Sequence, residues 1–185
     1  LQRLEQNRHI HDALIERCRK GERSAQAEVY RLYSKAMFNL SMRILQHREE
    51  AEDVLQESFL DAFLRIQTYR GESTFGAWLK RIVVNRSINQ AKRKKLVFAD
   101  LSGSAEMILE EDEQESPMPE CSVDDVRTAV SALPDGFRIV FTLYMFEDWS
   151  HKQIADELGI SESTSKSQLN RAKKKLSELF IASKQ

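Results

Sequence analysis

The chain has 185 residues, 41% of them hydrophobic, with six Gly, three Pro and a formal net charge of −1. That size and apolar share supply one large or two small cores and exclude wholesale disorder. No uncharged apolar run approaches the ~18 residues of a membrane span, and the N-terminal stretch is polar, so no membrane span is expected and the protein is placed in the cytoplasm. Cys18 and Cys121 have no metal-ligand spacing and read as two unpaired reduced thiols.

The small net charge conceals a segregation. Residues 1–98 carry 19 Lys+Arg against 12 Asp+Glu, a net +7. Residues 99–125 carry 10 acidic residues and no basic one, and residues 126–185 carry 9 basic against 7 acidic. Two net-positive blocks flanking an acidic connector have the charge layout of two nucleic-acid-facing modules.

Abundant Leu, Ala, Glu, Lys, Arg and Gln favour helix throughout. A short helix containing Ile10, Ala13, Leu14 and Cys18 is predicted to stop near Gly21. From Ser24, a reasonable N-cap, to Leu45 the residues Ala25, Val29, Leu32, Tyr33, Ala36, Met37, Leu40 and Ile44 recur at three- and four-residue steps and predict an amphipathic helix. Arg48–Ile66 is the clearest helix. Ala51, Val54, Leu55, Ser58, Phe59, Ala62, Phe63 and Ile66 form its apolar stripe, while Asp53, Gln56, Glu57, Leu60 and Leu64 occupy the opposite face. Two leucines among charges fit either a docking face or scattered surface leucines.

After a break at Tyr69-Arg70-Gly71-Glu72-Ser73, a further helix is predicted from about Thr74 to Lys95. Phe75, Trp78, Leu79, Ile82 and Val83 face its core, and Arg81, Asn85, Arg86, Asn89, Lys92 and Arg93 its other side. A cationic helix beside Tyr69, Phe75 and Trp78 has the composition of a stacking and phosphate-binding surface for strand-separated DNA. Phe75 and Trp78 lie on the apolar stripe and read first as core, which leaves Tyr69, in the loop, as the better stacking ring.

Residues 99–125 lose periodicity, and 99–121 read as an acidic flexible linker. Helices over Ser122–Leu133 and from Pro134-Asp135-Gly136 through Phe146 follow. His151–Leu158, the turn Gly159-Ile160 and a helix capped by Ser161 and running to about Ile181 then form a helix-turn-helix by spacing and by mechanism. Its second helix presents Ser163, Lys166, Ser167, Asn170 and Arg171, with Lys173 and Lys174 nearby for backbone contacts. Lys and Arg pair with guanine and Asn with adenine, so DNA binding is favoured over a structural hairpin. His9, His11, His47 and His151 form no ligand set, and no phosphate-binding glycine loop or nucleophile motif is present, so neither catalysis nor a cofactor or metal is expected.

Three motifs taken together resemble the extracytoplasmic-function RNA polymerase sigma factors, group IV of the primary-sigma-like family. Asp53-Val54-Leu55-Gln56-Glu57-Ser58-Phe59 is similar to the family's polymerase-binding helix. The run from Tyr69-Arg70-Gly71-Glu72-Ser73 through Trp78-Leu79-Lys80-Arg81 to Asn85 is similar to its −10 recognition and melting segment. Leu133-Pro134 through Ile154-Ala155-Asp156-Glu157-Leu158-Gly159-Ile160-Ser161 and the following helix are similar to its −35 reader. The likeness spans about residues 10–96 and 122–182.

The resemblance implies that Asp53, Gln56, Glu57 and Leu60 face the clamp helices of the polymerase β′ subunit. It implies that Asn85 and the loop Tyr69–Ser73 hold a flipped −10 base, with Arg70, Ser73, Trp78, Arg81, Lys92 and Arg93 along the same strand. Ser163, Lys166, Ser167, Asn170, Arg171, Lys173 and Lys174 would meet the −35 duplex, the acidic linker would thread polymerase channels, and an anti-sigma factor is an implied partner. Ser165 departs from the apolar residue usual at its place and Asn170 from a commonly bulkier one.

The expected fold is all-α: a region 2-like domain over 1–98, a linker over 99–121, and a region 4-like helix-turn-helix domain over 122–185. A dimeric helix-turn-helix regulator would explain residues 122–182 but leave 48–95 without a role. A helical adaptor with solvated basic faces would bind no DNA, and salt dependence would separate it from the other two.

Overall fold

Apolar residues recurring every three or four positions share a face only in a helix, and the computed structural model realises that pattern wherever it describes the chain, over residues 12–93 and 122–182. Among the described residues there are eight α-helices, one short 3-10 turn and no strand. The chain divides into two compact units, Leu1–Gln90 and Ala91–Gln185. The expected linker lies outside the described residues, as do Ile10, Lys94, Lys95 and Cys121.

In the first unit, α1 (residues 12–19) buries Leu14, Ile15 and Cys18. It ends before Gly21, whose φ of +79° supplies the left-handed turn. The next helix, α2 (Arg23–Leu45), starts one residue before the expected cap. Glu22 stands at its N-cap without a side-chain cap bond, and Ser24 accepts instead from Arg17 Nη2 at 3.3 Å. Ala25, Val29, Met37, Leu40 and Ile44 are buried as the spacing predicts, but Leu32 is 54% exposed. The buried face turns to Ser41, whose Oγ lies 2.8 Å from Ser87 Oγ in the neighbouring helix, so the polar atoms satisfy each other inside the core.

Helix α3 (Arg48–Leu64) opens on acidic Glu49 and Glu50, which complement the positive end of the helix dipole. It packs on α2 through Ala51, Val54, Leu55, Phe59 and Ala62, and Tyr30 of α2 meets Phe59 at 4.7 Å between ring centroids. The helix stops at Leu64, and Ile66 is buried in the following 3-10 turn, Ile66–Thr68.

Helix α4 (Phe75–Arg93) is capped by Thr74, whose Oγ1 accepts from Ala77 N at 3.2 Å. It buries Phe75, Leu79, Val83, Val84 and Ile88. Gly76 lets Tyr33 approach, since a Cβ there would lie 3.0 Å from Tyr33 Cε1.

In the second unit, α5 (Val123–Ser131) begins with a reciprocal cap: Asp125 N donates to Ser122 Oγ at 3.2 Å and Ser122 N to Asp125 Oδ2 at 2.9 Å. Helix α6 (Asp135–Met145) supplies Ile139, Val140, Phe141 and Leu143 to the core. The guanidinium of Arg138 is buried yet paired, donating to Leu133 O at 2.9 Å and to Asp135 at 2.5 Å.

The last pair, α7 (His151–Leu158) and α8 (Glu162–Ala182), has the boundaries that the spacing predicts to within a residue. Ser150 and Gln153 form a second reciprocal cap before α7. Gly159 at φ +73° makes the turn, and Gly159 N and Ile160 N both donate to Ala155 O. Ile154, Ala155 and Leu158 pack with Leu169, Ala172 and Leu176, and at the end of the helix Phe180 is buried while Leu179, expected inward, is half-buried.

Candidate functional site

The outer face of α3 is built by default, because every residue that packs on α2 lies on the other side. Asp53, Gln56, Glu57, Leu60 and Leu64 are all exposed, the two leucines to 63% and 81%. Leu60 and Leu64 stand one helical turn apart, so their exposed side chains adjoin on this face. Glu57 is not an isolated charge, however. Arg86 of α4 reaches across to form ion pairs with both Glu57 and Asp61, its Nε donating to Asp61 Oδ2 at 3.0 Å. Arg86 was expected on the DNA-facing side of α4; its guanidinium instead ties α4 to α3, because two carboxylates one helical turn apart on α3 form a fork-shaped acceptor.

Tyr69, read from the sequence as the better stacking ring, is enclosed in the structure. Tyr69 is 8% exposed, packed edge-on against Phe75 at 5.5 Å and beside Trp78 at 5.5 Å. Its hydroxyl donates to Ser73 O at 2.7 Å, closing the loop over Gly71, which has φ +76°. Tyr69 is therefore a structural ring beneath the loop and not a presented stacking surface. Ring stacking won over solvent because three aromatic faces bury one another there.

Phe75 is buried and Trp78 half-buried, so of the three rings Trp78 retains the most access. Arg70, Ser73 and Arg81 are exposed on the loop and the helix above it, and Arg93 is exposed near the end of α4; Lys92 is half-buried. Asn85 is half-buried, and its Oδ1 is enclosed without a hydrogen-bond partner.

In the helix-turn-helix, Ser161 caps α8 by accepting from Thr164 N at 3.0 Å, and its Oγ also lies 2.8 Å from Ser163 Oγ. Ser163, Lys166, Ser167, Asn170, Lys173 and Lys174 are exposed, and Arg171 is half-buried. Ser167 Oγ already donates to Ser163 O at 2.9 Å, so it offers a base an acceptor before it offers a proton. The face is cationic, polar and continuous along α8.

Ser165, the departure noted in the sequence, is fully buried, and its Oγ lies 2.9 Å from Nδ1 of His151. The imidazole is stacked on Tyr144 at 4.6 Å with an interplanar angle of 22°. Burial holds the His151 pKa below 6.5, Lys166 adds to that, Glu162 opposes it and Lys173 lowers it further. Gln168 also faces inward, and neither it nor the histidine partner of Ser165 was named from the spacing.

Among the described residues no group of three His, Cys, Asp or Glu side chains converges as a metal site, and no helix is long and apolar enough to cross a membrane.

Comparison with known proteins agrees with this layout. Residues 29–97 match the family model described as Sigma-70 region 2, and residues 124–176 the one described as Sigma-70, region 4. The ECF RNA polymerase sigma factor SigM of Bacillus subtilis (strain 168) is 30% identical over 157 residues, covering 83% of this chain and 93% of that protein. SigW of the same organism is 27% identical over 172 residues, covering 88% and 92%. Among solved structures, the sigma factor RpoE of Bartonella quintana, crystallised with the anti-sigma factor NepR, aligns with a TM-score of 0.53 at 20% identity over 84% of this chain and 96% of that one. CnrH, in complex with the cytosolic domain of CnrY, aligns with a TM-score of 0.52 at 21% identity over 92% and 96%. Both share the two-domain helical fold. The chain belongs to the extracytoplasmic-function sigma factors, the RNA polymerase sigma factors of transcription initiation, and its region 4 is their DNA-binding helix-turn-helix.

Proposed function

We propose that this sigma factor attaches to core RNA polymerase through the outer face of α3, holds the separated −10 strand against the Tyr69–Ser73 loop and α4, and reads −35 duplex with α8. The observation that carries the reading is the pair Leu60 and Leu64, exposed among Asp53, Gln56 and Glu57 in the same domain as the cationic side of α4. One face suits a protein partner and the other suits phosphate, as expected of a subunit that brings DNA to an enzyme.

Within this reading Asp53, Gln56, Glu57 and Leu60 meet the β′ clamp helices. Asn85 is the group that reads a flipped base, its amide able to pair with an adenine edge once the side chain turns out to meet it. Arg70, Ser73, Trp78, Arg81, Lys92 and Arg93 track the strand beside it. The domains are residues 1–98 and 122–185, and the acidic segment 99–121 threads a polymerase channel where its charge stands in for phosphate. Action on polymerase places the protein in the cytoplasm. An anti-sigma factor, of the kind that NepR is to RpoE in the structural relative, is a further partner.

The test is transcription in vitro with core polymerase over a genomic template library. Defined start sites that depend on this protein support the reading. Duplex binding that is equally specific without core polymerase would instead favour a dimeric regulator.

A further inference from the structure

We infer that Arg19 is a positioning residue for promoter opening: it clamps α1 onto the loop that meets the −10 strand. This rests on the proposed role of the Tyr69–Ser73 loop. The Nη2 of Arg19 donates to the backbone carbonyl of Tyr69, fifty residues away, and its guanidinium carbon sits 5.9 Å from the Tyr69 ring centroid. The other fork, Nη1, is held by Glu16 one turn earlier on α1. A return bond completes the clamp, Gln67 Nε2 donating to Arg19 O at 2.9 Å.

Tyr69 is thus fixed at three points. Its carbonyl and ring are held by Arg19, its ring by Phe75 and Trp78, and its hydroxyl by Ser73 O. A Cβ on Gly71 would meet nothing within 4 Å, so the tip of the loop opens to space on that side. The loop's shape is consequently set from its base, and α1 is part of that base. A loop preorganised in this way loses less entropy when a strand is captured. Lysine could supply the charge but not the planar fork that reaches Glu16 and the Tyr69 carbonyl together.

The experiment uses reconstituted holoenzyme and a fluorescein-labelled single strand bearing the non-template −10 sequence of a promoter found by run-off transcription. Arg19→Ala is expected to weaken strand binding by about tenfold, the equivalent of one charge-assisted hydrogen bond. It should also flatten the preference among single-base variants of that strand, with core affinity unchanged within about twofold. Arg19→Lys should fall between, and Gln67→Ala should weaken binding in the same direction without touching the loop directly.

Strand binding at the parent level in both Arg19→Ala and Gln67→Ala, while Asn85→Ala loses it, would overturn the clamp and leave the −10 reading intact. Parent-level binding in Asn85→Ala as well would overturn both. Equal losses of core affinity and strand affinity in Arg19→Ala would reduce Arg19 to a merely structural residue and overturn the proposal too.

Discussion

His151 Nδ1 lies 2.9 Å from Ser165 Oγ, and this single polar contact joins the first helix of the helix-turn-helix to the buried side of the second. A hydroxyl at a fully buried position is stable only with a partner, and the imidazole supplies it. Ser165→Ala should cost about 1 kcal/mol. In a double-mutant cycle with His151→Asn the two changes should fall short of additive by a similar amount. Additive losses in chemical denaturation would show that the contact contributes nothing.

The same histidine makes stability depend on pH. Its folded pKa is lowered, first by burial and then by Lys166, so the folded chain takes up the proton at lower pH than the unfolded chain does. The stabilisation is complete above about pH 6.5 and is lost as pH falls from there through the lowered folded value. Melting temperature should therefore drop more steeply between about pH 7 and pH 5 for the parent than for His151→Asn. Parallel curves for the two would contradict the assignment.

Arg86 holds its two carboxylate partners unequally. Asp61 is the more enclosed partner, with a side chain 22% exposed against 60% for Glu57. Asp61→Ala should destabilise the N-terminal domain by about 1–2 kcal/mol, because it removes the acceptor of two of the three contacts of a half-buried guanidinium, whereas Glu57→Ala should cost under about 0.5 kcal/mol. A Glu57→Ala protein that melts normally yet binds core polymerase more weakly would place its role at the interface. Core affinity at the parent level would remove Glu57 from that surface.

Leu60 and Leu64 offer a cleaner test of the α3 face, since neither supports the fold. Replacing either by Ser should leave the melting curve within about 0.5 kcal/mol of the parent. Both changes together should lower affinity for core polymerase by about tenfold or more, as expected for aliphatic anchors at an interface. Pull-down with core enzyme and calorimetry on the same preparations decide it. Unaltered association would leave the exposed leucines without a role.

The helices and the helix-turn-helix were legible because their signals are local: apolar spacing, a left-handed glycine at position 159, a serine cap at 161. What stayed hidden depends on residues far apart in the chain. Tyr69 reads as a loop aromatic, but its environment is set by Arg19, Phe75 and Trp78. Arg86 reads as one more cation on α4, and only the approach of α3 reveals its two acceptors. Ser41 and Ser87 look like polar interruptions of apolar stripes, yet they satisfy each other across the core. Ser24 reads as a cap by type alone; the chain entering α2 from Gly21 puts Glu22 there instead. Hydrophobic periodicity specifies which face is buried, and it is silent on which polar groups are carried inside as pairs.

On α8 the exposed residues divide by chemistry, and so should their effects. Lys173 and Lys174 are flexible point charges suited to phosphate. Changing either to Ala should weaken binding of −35 duplex by holoenzyme similarly for all sequences, and should reduce the slope of log affinity against log salt by about one. Asn170 is exposed on the same helix and carries an amide able to pair with an adenine edge. Asn170→Ala should leave the salt slope alone and relax discrimination at one base pair, by about 1–3 kcal/mol between best and worst base. Binding to a library of −35 variants at two salt concentrations separates these effects. A uniform loss for Asn170→Ala, with base preference kept, would assign it to the backbone and shift base reading to Lys166 and Arg171.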